Sequence, residues 1–312
     1  MAPTTRRTAM KDTRGEGRFG AKQGAISSNQ PISTIFEVRT VPGRGRGLFA
    51  LIDIPQGKRI ATEAPFFTLP NIDELNVLKV SILQRLQALS SEQQQQVHAL
   101  HNNFVGQEPA LVGIVRTNVL GISPQIDAVF PTFSLINHSC VPNAHYSGVE
   151  NQRRGNLYAI GEIKAGDEIT INYGDHTRGH NGFQFLQAQI IQRVEIQHEA
   201  CLEDLREMKD LLLDVYNNCA GTSLAWVYFT ASQVAASQSD LARASVFAER
   251  AYWVRVVCEG EHHPYVESYK SVRDNLQLHM GYGSTDFEET TADMVPMNLG
   301  LEDFEDWLWT WA

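Results

Sequence analysis

Apolar residues change their spacing three times along this chain. Between residues 34 and 63 they come in short β-type runs broken by glycine and proline. Residues 34–39 read as a strand and Gly43-Arg44-Gly45-Arg46-Gly47 as a loop. Residues 48–51 begin a second strand, which Ile54-Pro55-Gln56-Gly57 turns out, and residues 59–63 form a third. A small antiparallel meander is expected. From 72 to 105 the spacing becomes helical, with Leu75, Leu78, Ile82, Leu86 and Leu89 recurring at three and four. Ser90 followed by Gln93 predicts a capping box that opens a further helix carrying Val97 and Leu100. Residues 130–174 return to strand character, with runs at 156–160 and 168–173 on either side of the turn Lys164-Ala165-Gly166-Asp167.

Beyond about residue 184 the pattern is helical. Leu224, Val227, Tyr228, Ala231, Val234 and Ala235 form one apolar stripe. Leu241, Ala244, Phe247, Ala248, Ala251 and Tyr252 form another after a break at 237–240. Small residues at the facing positions make this a helical hairpin similar to one tetratricopeptide unit. The tail from 284 alternates acids with aromatics and carries Trp307, Trp309 and Trp311. Such a tail either docks onto a partner, stays disordered or folds back on the helices.

The expected class is therefore α+β: small antiparallel sheets with a helical insert, then an α-helical region. The segments are a basic disordered tail (1–30), a β domain (31–175, insert about 71–125), a short segment (176–192), a helical region (193–282) and an acidic tail (283–312).

Charge sharpens this division. The formal net charge is -10, yet residues 1–30 hold Arg6, Arg7, Lys11, Arg14, Arg18 and Lys22 against Asp12 and Glu16. Residues 281–312 hold eight acids and no Lys or Arg. A mildly acidic middle argues against direct nucleic-acid binding. The four cysteines, Cys140, Cys201, Cys219 and Cys258, include no Cys-x-x-Cys pair, so neither a disulfide scaffold nor a self-contained zinc site is expected. No apolar run is long enough to span a bilayer, and no apolar core follows the basic N-terminal residues as in a secretory signal. A soluble intracellular protein, nuclear or cytoplasmic, is expected.

Three separated motifs carry the chemistry. They are Gly45-Arg46-Gly47-Leu48-Phe49-Ala50, then Asn137-His138-Ser139-Cys140-Val141-Pro142-Asn143, then Gly166-Asp167-Glu168-Ile169-Thr170-Ile171-Asn172-Tyr173. Each alone is unspecific: a Gly-x-Gly is usually a tight turn, and a polar run within apolar sequence needs hydrogen-bond partners from protein or ligand. In this order and spacing they resemble the SET family of lysine methyltransferases over roughly residues 34–174. The closest likeness is to fungal members with a helical C-terminal extension. The resemblance implies S-adenosylmethionine as cofactor. The backbone at Arg46, Gly47 and Leu48 would hold its tail, and Asn137 and His138 would meet its ribose and adenine region. Asn118 in the insert would meet its amino-acid end, and Tyr173 would be the catalytic tyrosine.

The chain also departs from that family. A Cys-x-Cys-x-x-Cys usually follows the tyrosine and completes a four-cysteine zinc site with the cysteine of the Asn-His-Ser-Cys motif. Here Phe185, Gln187 and Ile190 align with those ligands, so no zinc is expected and Cys140 is read as a small buried side chain. Phe183 or Phe185 would supply an aromatic wall to the substrate channel.

Three functions follow. The first is methyl transfer to a protein lysine, histone or otherwise. The second is a catalytically silent scaffold whose helical region and acidic tail bind a protein partner. The third is an enzyme recruited to a small molecule of a fungal secondary-metabolite pathway.

Overall fold

The computed structural model describes residues 34–71, 74–175, 198–216, 219, 221–284 and 289–311. The expected basic tail, the segment 176–192, Phe183 and Phe185 lie outside them. Strand β1 (Phe36–Val41) pairs antiparallel with β2 (Gly45–Ala50), Phe36 opposite Ala50 and Val41 opposite Gly45. Gly43 and Gly45 take φ of 75° and 80° at this tight connection, a region where a Cβ is strained. The glycine-rich stretch is thus mostly strand: Gly45, Arg46 and Gly47 all lie in the ladder.

Strand β3 (Arg59–Glu63) does not extend this hairpin into the expected meander. The free edge of β2 is taken instead by β10 (Glu168–Ile171), with Glu168 opposite Phe49 and Ile169 opposite Leu48. On its other side β10 runs parallel to β7 (Asn137–His138). The sheet order is β1-β2-β10-β7, which puts residues far apart in sequence on neighbouring strands.

β3 joins a second sheet, β3-β9-β8, with β8 (Ala144–Val149) and β9 (Arg154–Ala159). A third sheet, β4-β6-β5, is built from β4 (Phe67–Pro70), β5 (Val119–Ser123) and β6 (Ile126–Val129). Leu48, Ile169 and Ile171 share one buried core with Phe130, Phe133 and Tyr146, whose rings meet at centroid distances of 5.5–5.9 Å.

Between β4 and β5 come α1 (Leu75–Gln87), α2 (Ser91–His98) and α3 (Ala110–Asn118). The capping box forms: Gln93 N donates to Ser90 Oγ (3.2 Å) and Ser90 N to Gln93 Oε1 (3.0 Å). Ile82 and Leu86 are buried, but Leu75, at the open end of its stripe, is 51 % exposed.

Four helices follow: α4 (His198–Val215), α5 (Thr222–Ser237), α6 (Leu241–Glu259) and α7 (Pro264–Asp274). α5 and α6 form the expected hairpin. Asp240 caps α6 by accepting from Arg243 N, and both apolar stripes are buried except for a half-buried Leu241. The helical region rests on the second sheet. His263 caps α7 by accepting from Tyr265 N on Nδ1, so its Nε2–H donates to Gly148 O of β8 (3.1 Å).

Gly260, at φ 81°, brings the end of α6 against the Tyr158 hydroxyl of β9, leaving no room for a Cβ. Gly260→Ala should therefore cost about 1–2 kcal/mol from backbone strain and crowding together, read as a lower urea midpoint. An unchanged midpoint would mean that this contact yields freely.

The acidic tail folds back as α8 (Leu301–Trp309). Leu308 and Trp309 are fully buried, with Trp309 against Phe247 and Tyr228 at 4.7 and 6.2 Å between ring centroids. Arginines of the helical region hold the acids and carbonyls of the tail. Arg250 grips the Glu305 carboxylate with both terminal nitrogens, Arg206 pairs with Asp306 (2.6 Å), and Arg243 Nε donates to Trp307 O (2.7 Å). Trp311 Nε1 donates to Asp240 Oδ2 (3.1 Å). Among the described residues no helix is long and apolar enough to cross a membrane.

Candidate functional site

The three motifs meet around β10. Its backbone pairs with β2 through Glu168 and Ile169 and with β7 through Thr170 and Ile171, so the ladder between β2 and β10 stops at Leu48. Beyond that point the two strands diverge, and the backbone of Arg46 and Gly47 faces the side chain of Asn137. Asn143, from the same motif as Asn137, fixes β10 in place. Its Nδ2 donates to Glu168 O and its Oδ1 accepts from Thr170 N, both at 2.9 Å.

Asn137 donates through Nδ2 to Arg46 O (3.2 Å) and to Glu168 Oε1 (2.6 Å). The other oxygen of Glu168 pairs with Arg44 Nη1 (3.1 Å), and Arg44 Nη2 donates to His138 O (3.1 Å). Gly47 lies directly beneath. A Cβ there would stand 2.5 Å from Glu168 Oε1 and 2.8 Å from Asn137 Nδ2. The glycine is needed because a hydrogen bond between two other motifs crosses its α-carbon.

His138 and Tyr173 form the second half of the group, with ring centroids 5.2 Å apart. Tyr173 N donates to His138 Nδ1 (3.1 Å), which puts the proton of the neutral imidazole on Nε2, 3.4 Å from Cys140 Sγ. Cys140 is exposed, not buried as expected. It sits on the outer side of the turn, where the side chain of His138 also points to solvent. The Tyr173 hydroxyl turns inward and donates to Ile136 O (2.6 Å), although the residue as a whole is 40 % exposed. Burial pushes this phenol above its ordinary range. Arg44 opposes the rise and Glu168 adds to it. The hydroxyl is therefore protonated at neutral pH and acts as a hydrogen-bonding group, not as a base.

Leu48 is fully buried and contributes only backbone here. The Arg46 guanidinium reaches away to Ala99 O (2.9 Å). Asn118 is buried at the end of α3, and its Nδ2 donates to His101 O and Ile114 O, each at 2.7 Å. Arg46 and Asn118 thus hold the turn 99–101 of the insert from two sides, and Asn118 is linked to the Asn137 group through that turn. Glu168, Arg44 and Asn143 were not assigned roles from the sequence. Glu168 and Asn143 sit inside the recognised motifs and Arg44 just before the first, but only the strand pairing shows which partners they meet.

Among the described residues no group of three His, Cys, Asp or Glu side chains could hold a metal ion. A groove of about 510 Å³ runs along α4, lined by Glu203, Glu207, Asp210, Leu211 and Trp309 among others, and by none of the motif residues.

Known proteins point to the same segment. The model of the SET domain family matches residues 45–174. The histone-lysine N-methyltransferase set5 of Schizosaccharomyces pombe is 28 % identical over 147 residues, 47 % of this chain and 44 % of that protein. A protein of Acanthamoeba polyphaga mimivirus, named for a SET domain, is 27 % identical over 151 residues, 47 % of this chain and 53 % of its own. The chain thus spans about half the length of the curated relatives it matches. The crystal structure of a candidate histone methyltransferase from Plasmodium falciparum has 19 % identity and a TM-score of 0.28, covering 47 % of this chain and 99 % of that one. From Gly45, where the hairpin turns into β2, to Gly174, just past the tyrosine, this chain matches the SET domain.

Proposed function

We propose that this protein is an S-adenosylmethionine-dependent methyltransferase acting on a lysine of a protein substrate. The observation that carries the reading is the meeting of Gly47, Asn137, Glu168, His138 and Tyr173 around β10. The cofactor fits what these residues offer. The pairing of β2 with β10 ends at Leu48, so the backbone of Arg46 and Gly47 runs past the side chain of Asn137. Both amide protons of Asn137 are already committed, so its Oδ1 is left to accept from a cationic or amino group.

When bound, the cofactor supplies an activated methyl group on a sulfonium. The residues of this chain then have a positioning task. A lysine amine must arrive neutral, and deprotonating it at pH 7 from an ordinary pKa near 10.4 costs about 4.6 kcal/mol. A water-poor channel lowers that cost. Tyr173 is anchored at its backbone by His138 and at its hydroxyl by Ile136 O, so its phenol holds one place at the mouth of the site. We assign it to orient the amine as a hydrogen-bonding group. Phe183 and Phe185 remain our candidates for the channel wall. The same reading places the protein in the nucleus or cytoplasm.

Titration calorimetry with S-adenosylmethionine tests the cofactor half. Binding is expected in the wild type and should weaken at least tenfold in Asn137→Ala, which removes an amide that bridges two strands. Tyr173→Phe should keep that binding and lower methyl transfer to lysine-containing protein by about 100-fold. Equal transfer rates in wild type and Tyr173→Phe would remove the tyrosine from the chemistry. Cofactor binding with no transfer to any protein would favour a small-molecule acceptor, and absence of cofactor binding would leave a scaffold.

A further inference from the structure

The structure assigns Glu168 as a positioning residue that sets which end of the Asn137 amide faces the cofactor; this rests on the cofactor reading above. A carboxamide can sit either way round, and its two orientations present opposite chemistry: two N–H donors or one carbonyl acceptor. Around Asn137 both neighbours are acceptors, the Glu168 carboxylate at 2.6 Å and the Arg46 carbonyl at 3.2 Å. Turning the amide over would set Oδ1 against both. The Arg46 carbonyl is the weaker neighbour, being uncharged and farther away. The charged, closer Glu168 therefore decides the orientation.

Three further contacts favour this reading over a surface ion pair. Glu168 is 17 % exposed in its side chain, and its second oxygen is held by Arg44, which also binds His138 O. The carboxylate thus cannot swing away from Asn137 without breaking its pair with Arg44. Asn143 grips the backbone of Glu168 itself. Gly47 supplies the space, since any larger residue there would stand between Glu168 and Asn137. The second glycine of the glycine-rich motif then serves this hydrogen bond. Glu168 does not touch the reacting atoms. It acts through Asn137, whose Oδ1 is kept as an acceptor for the amino group of the cofactor's amino-acid end. This moves that end from Asn118, which is buried with its Nδ2 spent on His101 O and Ile114 O, to Asn137, for which the resemblance implied the ribose and adenine region.

Two measurements test the role. The first compares, by calorimetry, S-adenosylmethionine with its analogue lacking the α-amino group. The wild type should prefer the amine-bearing ligand, and Glu168→Ala should reduce that preference by about tenfold, because the amide is free to turn. Glu168→Gln retains one acceptor oxygen and should keep most of the preference. The second needs no cofactor: the side-chain amide protons of Asn137, followed by NMR in the ligand-free protein, should exchange slowly in wild type and Glu168→Gln. They should exchange faster in Glu168→Ala and in Gly47→Ala, whose Cβ occupies the crossing point.

Equal weakening of both ligands in Glu168→Ala, with the preference intact, would overturn the proposal and leave Glu168 a strut of the sheet. So would unprotected Asn137 amide protons in the wild type. A wild type that binds neither ligand would refute the cofactor assignment, and with it the amine as the group met by Oδ1. The exchange measurement would still show separately whether Glu168 holds the amide.

Discussion

Trp309→Ala should destabilise the folded chain by about 3–5 kcal/mol, within the range for truncating a fully buried large aromatic. Trp309 is fully buried, although only three residues follow it in the sequence. Its ring meets Phe247 edge-on, packs beside Tyr228 and carries the Lys209 ammonium 5.5 Å from its centroid. Its Nε1 donates to Glu305 Oε2 at 3.1 Å, and Arg250 holds that same carboxylate. Truncation therefore removes ring contacts, leaves a cavity between α5 and α6 and loosens the turn of α8 that Arg250 grips. Urea unfolding followed by circular dichroism should show a lower midpoint with the slope little changed. Trp307→Ala is the internal control. That ring is only half-buried and stacks on the Arg243 guanidinium at 4.8 Å, so its loss should cost about 1 kcal/mol. A Trp309→Ala protein as stable as wild type would mean that α8 is an appendage and not part of the helical core.

The second large effect is on acid stability. His279 is buried between Phe229 (ring centroids 5.1 Å apart) and Ser232. The Ser232 hydroxyl donates to Ala244 O, so it accepts from His279 Nε2–H at 2.9 Å, and the imidazole is neutral. Burial pushes its pKa down from 6.5 to about 4. In the unfolded chain the ring gains a proton as pH falls through 6.5, while in the folded chain it resists until about 4. Stability from this group is thus complete above the unfolded value and is lost as pH falls between the two. The loss amounts to about 3 kcal/mol. Asp240 and Glu305 act lower. Burial would raise both carboxyls, but Arg243 and Arg250 overcome it and hold them below the ordinary range. The fall in stability between pH 6.5 and 4 should therefore flatten in His279→Gln, whose amide can still donate to Ser232. An unchanged slope in that variant would assign the acid sensitivity to other groups.

Both effects reside in the helical region, while the proposed chemistry resides in the sheet of β1, β2, β10 and β7. His263 to Gly148 and Gly260 against Tyr158 join the two regions through the second sheet. Unfolding of α6 would therefore first disturb β8 and β9 and leave the Asn137–Glu168 pair indirectly affected. Cofactor titration of the Trp309 variant in mild urea would show whether the helical region supports the site.

The local pattern determined much of this protein. The run 59–63 coincides with β3, and the two later apolar stripes lie on α5 and α6, because a strand run and a buried stripe are properties of a few neighbouring residues. Ser90 and Gln93 spelled their own cap for the same reason. The motifs named Gly47, Asn137, His138 and Tyr173 as a group by their order along the chain. Pairing between distant strands was decided only in three dimensions. Nothing local says that β10 inserts beside β2 and turns β3 away to another sheet, since each strand edge offers the same backbone hydrogen bonds. That insertion makes Glu168 the neighbour of Asn137 and Arg44. The tail was undecided for a similar reason: acids alternating with tryptophans suit solvent and packing equally, until three arginines and an apolar groove supply both kinds of partner at once.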